Sequence, residues 1–138
     1  MRAFLVDTNI LSEIVRPRPT PKVEAFLARE GDLWLSVIAL HEFAYGLAGV
    51  VDATRRARLG AWVASIKISF RGRIIDVDEP IAETAGLLRA SSASRGRPLA
   101  PLDSLIAATA LLHSKTLATR NARDFAHLDM DLVNPWED

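Results

Sequence analysis

The chain has 138 residues, of which 49% are hydrophobic, enough for one folded domain with a single core and too many for a disordered chain. Its 17 basic and 17 acidic side chains give a formal net charge of zero, which argues against non-specific, high-affinity nucleic-acid binding but allows local basic patches. The absence of cysteine excludes disulfides and thiolate metal sites, and three histidines disfavour a zinc site. We expect one domain over residues 1–138 in a reducing cytoplasm.

Short apolar runs typical of strands alternate with longer stretches of helical period. The runs cover residues 3–6, 33–35, 73–77, 116–118 and 132–133. This alternation predicts βαβ units, and therefore an α/β fold with a parallel sheet between helices on both faces. The first run is too short for a signal peptide or a membrane span, so we expect no membrane association.

Capping and breaking signals predict where the helices lie. The first helix covers residues 10–15 and ends before Pro17, because a residue preceding proline avoids the α region. The second helix is capped by Thr20 and has Pro21 in its first turn, and the third covers residues 37–47 and is capped by Ser36.

A basic fourth helix exposes Arg55, Arg56 and Arg58 and turns Leu59, Trp62, Val63 and Ile66 inward. The fifth helix runs from Asp78 to Gly96. The sixth runs from Pro101 to about His113 and has Leu105, Ile106, Thr109 and Leu112 on one side.

Acidic and amide side chains follow three of the predicted strands. Asp7 ends the first strand, Glu42 lies about one turn into the helix after the second, and Asp103 lies in the first turn of a strongly apolar helix. Asn121 and Asp124 follow the fourth strand. Strand ends and the following helix starts share one edge of a parallel sheet, so these side chains can converge there.

Clustered carboxylates repel one another and take up protons unless a cation compensates. Oxygen ligands favour a hard ion, Mg²⁺ or Mn²⁺. Such an ion suits phosphodiester chemistry, because it lowers the pKa of a bound water and stabilises the charge that develops on the phosphate.

Each candidate also has a purely structural interpretation. Asp7 can cap the first helix, Asp103 can complement a helix dipole, Glu42 can be a solvated helix residue and Asp124 can be a helix cap. Thr8, Asn9, Ser36 and Thr119 can cap helices and turns, or they can support a metal site. Arg120 can be a solvated residue, can bind a substrate phosphate, or can form a salt bridge with the acids.

Five segments in this order resemble the PIN-domain ribonucleases, and more narrowly the VapC and FitB toxins of bacterial toxin–antitoxin pairs. They are LVDTNILSE (residues 5–13), LSVIALHE (35–42), DSLIAATA (103–110), LATRNARDF (117–125) and VNPW (133–136). Each segment alone is a weak signal, but together they span nearly the whole chain.

The resemblance implies a three-layer α/β/α sandwich around a short parallel sheet. It implies RNA cleavage that depends on Mg²⁺ or Mn²⁺, with Asp7, Glu42 and Asp103 as ligands. It also implies a homodimer, inhibited by a small cognate antitoxin and able to form a larger complex with it. The helix carrying Arg55 and Arg58 is one candidate surface for that antitoxin.

One position departs from the family pattern. Many members carry aspartate where this chain has Asn121. Asparagine supplies a neutral oxygen, so Asp124 becomes the alternative fourth acid of the site.

Two other functions compete with a nuclease. A phosphatase of the haloacid-dehalogenase kind also begins with an aspartate at a strand end, but it needs a second aspartate where this chain has Asn9. A PIN-like protein that binds RNA or a partner without cleavage is the other alternative. The retained acids disfavour it, since clustered negative charge opposes the binding of a polyanion.

Overall fold

The computed structural model describes residues 2–137. Its strands are β1 (Phe4–Val6), β2 (Leu33–Ser36), β3 (Ile74–Ile75), β4 (Thr116–Ala118) and β5 (Leu132–Val133). They form one sheet in the order β3-β2-β1-β4-β5, and every neighbouring pair is parallel. The predicted parallel sheet is confirmed, although β3 is shorter than its apolar run at residues 73–77.

The helices described within residues 2–137 are α1 (Thr8–Ile14), α2 (Pro21–Arg29), α3 (Val37–Ala48), α4 (Ala53–Ser69), α5 (Glu79–Ser94), α6 (Pro101–Leu112) and α7 (Ala122–Phe125). Six of them correspond to the helices predicted from the sequence, and α7 is a single additional turn. Ser36 caps α3 as predicted, and Asp78, predicted as the start of α5, is the cap of that helix; each side chain accepts a hydrogen bond from a backbone N–H of the first turn.

Alternation along the strands produces two cores, one on each face of the sheet. In β1, Leu5 packs with residues of α5 and α6, whereas Phe4 and Val6 pack with residues of α1 and α2. Helix α3 contributes Ile38 to the first core and Phe43 to the second. The predicted three-layer α/β/α sandwich is therefore confirmed.

Helix α4 covers the outer side of α3 with an amphipathic face. The predicted inward residues Trp62, Val63 and Ile66 are partly buried against the second core, and the Trp62 ring meets the Phe43 ring edge-on at 5.4 Å. Arg55, Arg56 and Arg58 of this helix are exposed, as predicted.

Three local details differ from the predictions. Helix α1 begins at Thr8 rather than residue 10, because Asp7 is its cap. Thr20 occupies the cap position of α2, but its hydroxyl donates to Glu13 Oε2 at 2.8 Å instead of capping the helix. Leu112, predicted on the inward side, is 47% exposed at the end of α6, two residues after its last buried residue, Ala110.

None of the helices in the described part of the chain is long and apolar enough to cross a membrane.

The Phe26 side chain tests the second core. It is 1% exposed and meets Phe4 edge-on at 5.1 Å. We expect Phe26→Ala to lower the free energy of unfolding by about 3–5 kcal/mol in urea titrations, since it leaves a cavity. Tyr45→Ala is the control, because Tyr45 is 82% exposed and should change stability by less than about 0.5 kcal/mol. Equal losses in the two variants would contradict this packing.

Candidate active site

Asp7 continues the sheet by one residue and then begins a helix. Its backbone N–H donates to the Ala118 carbonyl at 2.9 Å, which extends the β1–β4 ladder. Its side chain is only 7% exposed, and Oδ1 accepts from the Thr8 backbone N–H at 2.8 Å. The helix-cap interpretation of Asp7 is therefore correct, but it accounts for only one of the two carboxylate oxygens.

The second oxygen of Asp7 is bound by side chains from α1 and from the residue after β4. The Thr119 hydroxyl donates to Oδ2 at 2.8 Å, and the Asn9 amide donates to the same atom at 3.4 Å. Thr119 is fully buried, and its hydroxyl also accepts from the Asn121 backbone N–H at 3.0 Å. Asn9 Oδ1 in turn accepts from the Arg120 backbone N–H at 3.2 Å. Thr119 and Asn9 thus fix the acid as well as the turn after β4.

Thr8 connects Asp7 to Glu42 of α3. Its hydroxyl lies 3.1 Å from Glu42 Oε1 and 3.3 Å from Asp7 Oδ1. A hydroxyl has one proton to donate, so it satisfies both carboxylates fully only when one of them is protonated. Burial of Glu42, followed by repulsion from Asp7, raises the pKa of the Glu42 carboxyl and favours a proton there.

Asp103 faces the same edge from the first turn of α6. Burial raises the pKa of its carboxyl, and the negative charges of Asp7 and Asp124 raise it further. Asp103 also contributes to the raised pKa of Glu42. The tertiary structure therefore brings Asp7, Glu42 and Asp103 within electrostatic range of one another, and Asp124 within range of Asp103.

Asn121 and Asp124 occupy different positions relative to these acids. Asn121 is the exposed residue before α7, and its side chain does not cap that helix. Asp124 is an exposed residue within the first turn of α7, so the interpretation as its cap is wrong. Since Asp124 acts electrostatically on Asp103, it is the acid that faces the cluster from this side.

The remaining polar candidates divide into two groups. Ser36 accepts from the Ile38 backbone N–H at 3.1 Å and caps α3. The Arg120 guanidinium lies over the Trp136 ring at 5.0 Å, and over residues 2–137 it makes no salt bridge with the acids. Thr8, Asn9 and Thr119, in contrast, hydrogen-bond directly to Asp7.

The carboxylates cluster without forming a closed cage. Within residues 2–137, no three Asp, Glu or His side chains are placed closely enough to bind one metal ion together. Between Asp7 and Glu42 there is a crevice of about 10 Å³, roughly the volume one water molecule requires.

Two larger depressions adjoin the acids on different sides. Beside Glu42 is a groove of about 780 Å³ with a mainly apolar floor that includes Phe43 and Trp62 and with arginines that include Arg55 and Arg58. Beside Asp103 is a cavity of about 420 Å³, lined by Gly96, Arg97, Pro98, Leu99, Ala100, Asp103, Asp124 and His127.

Ser92 and His127 lie near this site although no sequence motif points to either residue. Ser92 is fully buried, and its hydroxyl lies 2.7 Å from His127 Nε2. The two residues are 35 positions apart and belong to no spacing pattern, so only the tertiary structure shows that they meet.

This chain is similar to several known proteins. A family model described as the PIN domain matches residues 4–130. The toxin FitB of Neisseria gonorrhoeae is 37% identical over 138 residues, covering 98% of this chain and 99% of the relative. The crystal structure of FitAcB from the same organism superposes with a TM-score of 0.92 at 36% identity, covering 98% and 99% of the two chains.

Two further relatives extend the comparison. The tRNA(fMet)-specific endonuclease VapC of Shigella flexneri is 30% identical over 137 residues, which is 99% of each chain. A toxin–antitoxin complex from Klebsiella pneumoniae contains a chain that is 28% identical with a TM-score of 0.71, covering 96% of this chain and 97% of that one.

The raised pKa values predict how stability depends on pH. Because Glu42 and Asp103 bind protons more tightly in the folded state, stability should rise as pH falls from neutral through their raised pKa values. The rise should end where the unfolded carboxyls also protonate. We expect Glu42→Gln to raise the melting temperature of metal-free protein at pH 7 and to flatten this rise.

The control is Glu83→Gln, which changes an exposed residue of α5. Glu13, whose pKa is lowered chiefly by the Thr20 hydroxyl, makes stability fall as pH falls, which opposes the contribution of Glu42 and Asp103. Because Glu13 is present in wild type and in both variants, it does not affect the comparison. Parallel melting-temperature profiles for Glu42→Gln and Glu83→Gln would contradict the electrostatic interpretation.

Proposed function

The chain belongs to the PIN-domain family, in the group that includes FitB and VapC, and from this membership we propose that it is a divalent-metal-dependent endoribonuclease. The Shigella relative is named a tRNA-specific endonuclease, and the Neisseria relative a toxin. The observation that carries the proposal is the convergence of Asp7, Glu42 and Asp103 at the carboxyl edge of the parallel sheet.

The acids of this edge fit a hard cation. All of them supply oxygen ligands, as Mg²⁺ and Mn²⁺ prefer. Mutual repulsion and burial raise the pKa values of Glu42 and Asp103, and a cation would remove that repulsion. Because no three of the described side chains are placed closely enough to bind one ion together, Asp7, Glu42 and Asp103 would have to move toward one another to hold it, with Asp124 or Asn121 as a further oxygen ligand.

A bound ion of this kind supplies an activated water and stabilises negative charge on the phosphate. The protein's own contribution is to hold oxygen atoms at fixed positions. Asp7 is fixed by hydrogen bonds from Thr8, Thr119 and Asn9, so its carboxylate cannot rotate away from the edge. Glu42 is bonded only to the Thr8 hydroxyl among the described residues, which leaves its second oxygen for a ligand.

The alternatives receive less support from this geometry. A phosphatase of the haloacid-dehalogenase kind needs a second carboxylate at residue 9, but the Asn9 amide here donates to Asp7 and its carbonyl accepts from the backbone of residue 120. A non-catalytic RNA-binding protein would gain nothing from carboxylates that repel each other and a polyanion. RNA-cleavage assays directly distinguish a non-catalytic RNA-binding protein from a nuclease.

The protein acts as the toxin of a toxin–antitoxin pair, with a small antitoxin as its inhibitor and a homodimer as its own state. The Klebsiella structure is named a toxin–antitoxin complex, and FitB is named a toxin. The groove beside Glu42 supports an antitoxin partner, since its apolar floor suits a peptide segment and Arg55 and Arg58 suit acidic residues on that segment.

Metal binding predicts a change in thermal stability. We expect Mn²⁺ or Mg²⁺ to raise the melting temperature, by the equivalent of about 2.7 kcal/mol when the ion exceeds its Kd a hundredfold. Asp7→Asn should reduce this rise, because it removes a charged ligand. Asp131→Asn is the control, since Asp131 is exposed and precedes β5 at the opposite edge of the sheet. Equal shifts in wild type and Asp7→Asn would rule out a metal ion at Asp7.

Cleavage should require Asp103. We expect Asp103→Ala to abolish cleavage of total RNA and growth toxicity, by a factor of at least about 10², while the circular dichroism spectrum stays unchanged. Asp131→Ala should cleave like wild type, because it lies at the other edge of the sheet. A folded Asp103→Ala protein that retains wild-type cleavage would refute the mechanism.

A further inference from the structure

We propose that the cavity beside Asp103 is a subsite for the RNA nucleotide next to the cleaved phosphodiester, with Arg97 binding its phosphate and His127 forming the opposite wall. The inference rests on the proposed nuclease function and extends it by placing part of the substrate. An RNA strand that crosses the acids must continue beyond them, and this cavity is open at that point.

Position and size fit one nucleotide. The cavity of about 420 Å³ is bordered by Asp103 and Asp124, so a nucleotide in it lies directly beside the candidate catalytic acids. Pockets that bind small ligands begin at roughly 300 Å³. The groove on the other side, beside Glu42, has a mainly apolar floor and suits a peptide better than a polyanion.

Arg97 is exposed and carries the positive charge of this cavity. Its guanidinium makes one long hydrogen bond, from Nη2 to the Arg123 carbonyl at 3.5 Å. Among residues 2–137 it makes no salt bridge, although two aspartates line the same cavity. A guanidinium has five N–H donors in a planar arrangement, which matches the oxygens of a phosphate.

The backbone of Arg97 is held by the end of α5. The Gly96 N–H donates to the Ala93 carbonyl at 3.0 Å, and the Arg97 N–H donates to the Ser92 carbonyl at 2.9 Å. This is the Schellman arrangement of a helix end, and it requires the positive φ of 71° found at Gly96. Pro98 then restricts the chain that follows. The loop therefore presents Arg97 at a defined position.

The same buried serine fixes the opposite wall. The Ser92 side chain is fully buried, and its hydroxyl lies 2.7 Å from His127 Nε2. If the serine donates this bond, the His127 ring carries its proton on Nδ1. That buried atom has no hydrogen-bond partner within the described part of the chain. Ser92 thus positions both Arg97, through its carbonyl, and His127, through its hydroxyl.

A backbone contact reinforces the His127 wall. The Arg95 guanidinium donates to the His127 carbonyl at 3.0 Å, so α5 also holds the main chain after α7. Because α7 carries Asp124, this contact also helps to hold the segment that brings an acid to the cavity. A site whose two walls are both fixed by one helix end is preorganised, which lowers the entropic cost of binding.

Substrate length distinguishes a subsite from a general charge effect. The probes are a synthetic 12-nucleotide single-stranded RNA centred on a cleavage site mapped in total RNA and a series of shorter RNAs trimmed one nucleotide at a time from either end. We expect Arg97→Ala to raise KM about tenfold for the full RNA, the equivalent of ~1.4 kcal/mol, with kcat changed less than about twofold. Once trimming removes the nucleotide in the cavity, wild type and Arg97→Ala should have equal KM values.

Two further variants serve as controls. Arg89→Ala removes an exposed arginine of α5 outside the cavity and should behave like wild type at every RNA length. His127→Phe keeps a ring but loses both nitrogens, and should raise KM for the full RNA while leaving the metal-induced rise in melting temperature unchanged. Loss of that rise would overturn the proposal, because His127 would then bind metal instead of forming a nucleotide wall.

A binding measurement separates failure of the subsite from failure of the proposed function. In an Asp7→Asn background, fluorescence anisotropy of the labelled 12-nucleotide RNA should show weaker binding when Arg97→Ala is added. If wild type does not cleave but binding depends on Arg97, the nuclease function fails and the subsite stands. If wild type cleaves and Arg97→Ala changes neither KM nor binding, or changes them equally at every RNA length, the subsite is refuted.

Discussion

A buried carboxylate at the end of β1 is the constraint on which this edge of the molecule depends. Asp7 is 7% exposed, and a charge in that position is costly unless it is fully hydrogen-bonded. The hydrogen bonds come from Thr8 at the start of α1, Thr119 at the end of β4 and Asn9. One acid therefore ties together a strand, its neighbouring strand and the first helix.

Glu42 and Asp103 make it energetically more costly to keep the acids at this edge of the sheet ionised. Burial and repulsion raise the pKa values of Glu42 and Asp103, which means that the folded state is strained when both are ionised. A core residue under selection for stability alone would not be acidic here. The arrangement is instead typical of functional sites, where ligand binding relieves a strain that folding alone leaves in place.

The two depressions beside the acids differ in chemistry, and this difference follows from the elements that form them. The groove beside Glu42 is lined by α3, α4 and the end of α1, and the apolar faces of α3 and α4 pack only partly against each other. The cavity beside Asp103 lies between the end of α5 and α7, where polar loop atoms are held by Ser92. A site with one apolar and one polar approach can receive a protein partner and a nucleic acid from different sides.

The sequence by itself determined the strands, their parallel arrangement and six helices, and it singled out Asp7, Glu42 and Asp103 as candidate site residues, because these depend on local periodicity, capping and short motifs. It did not determine how the acids shift one another's pKa values or which of Asn121 and Asp124 faces them. It also did not determine that the Thr119 hydroxyl, rather than a positively charged side chain, binds Asp7. Those outcomes depend on contacts across 112 residues for Thr119 and 35 residues for Ser92 with His127. Only tertiary structure decided them, since hydrogen bonding and electrostatic repulsion act over distances in space and leave no periodic signal along the chain.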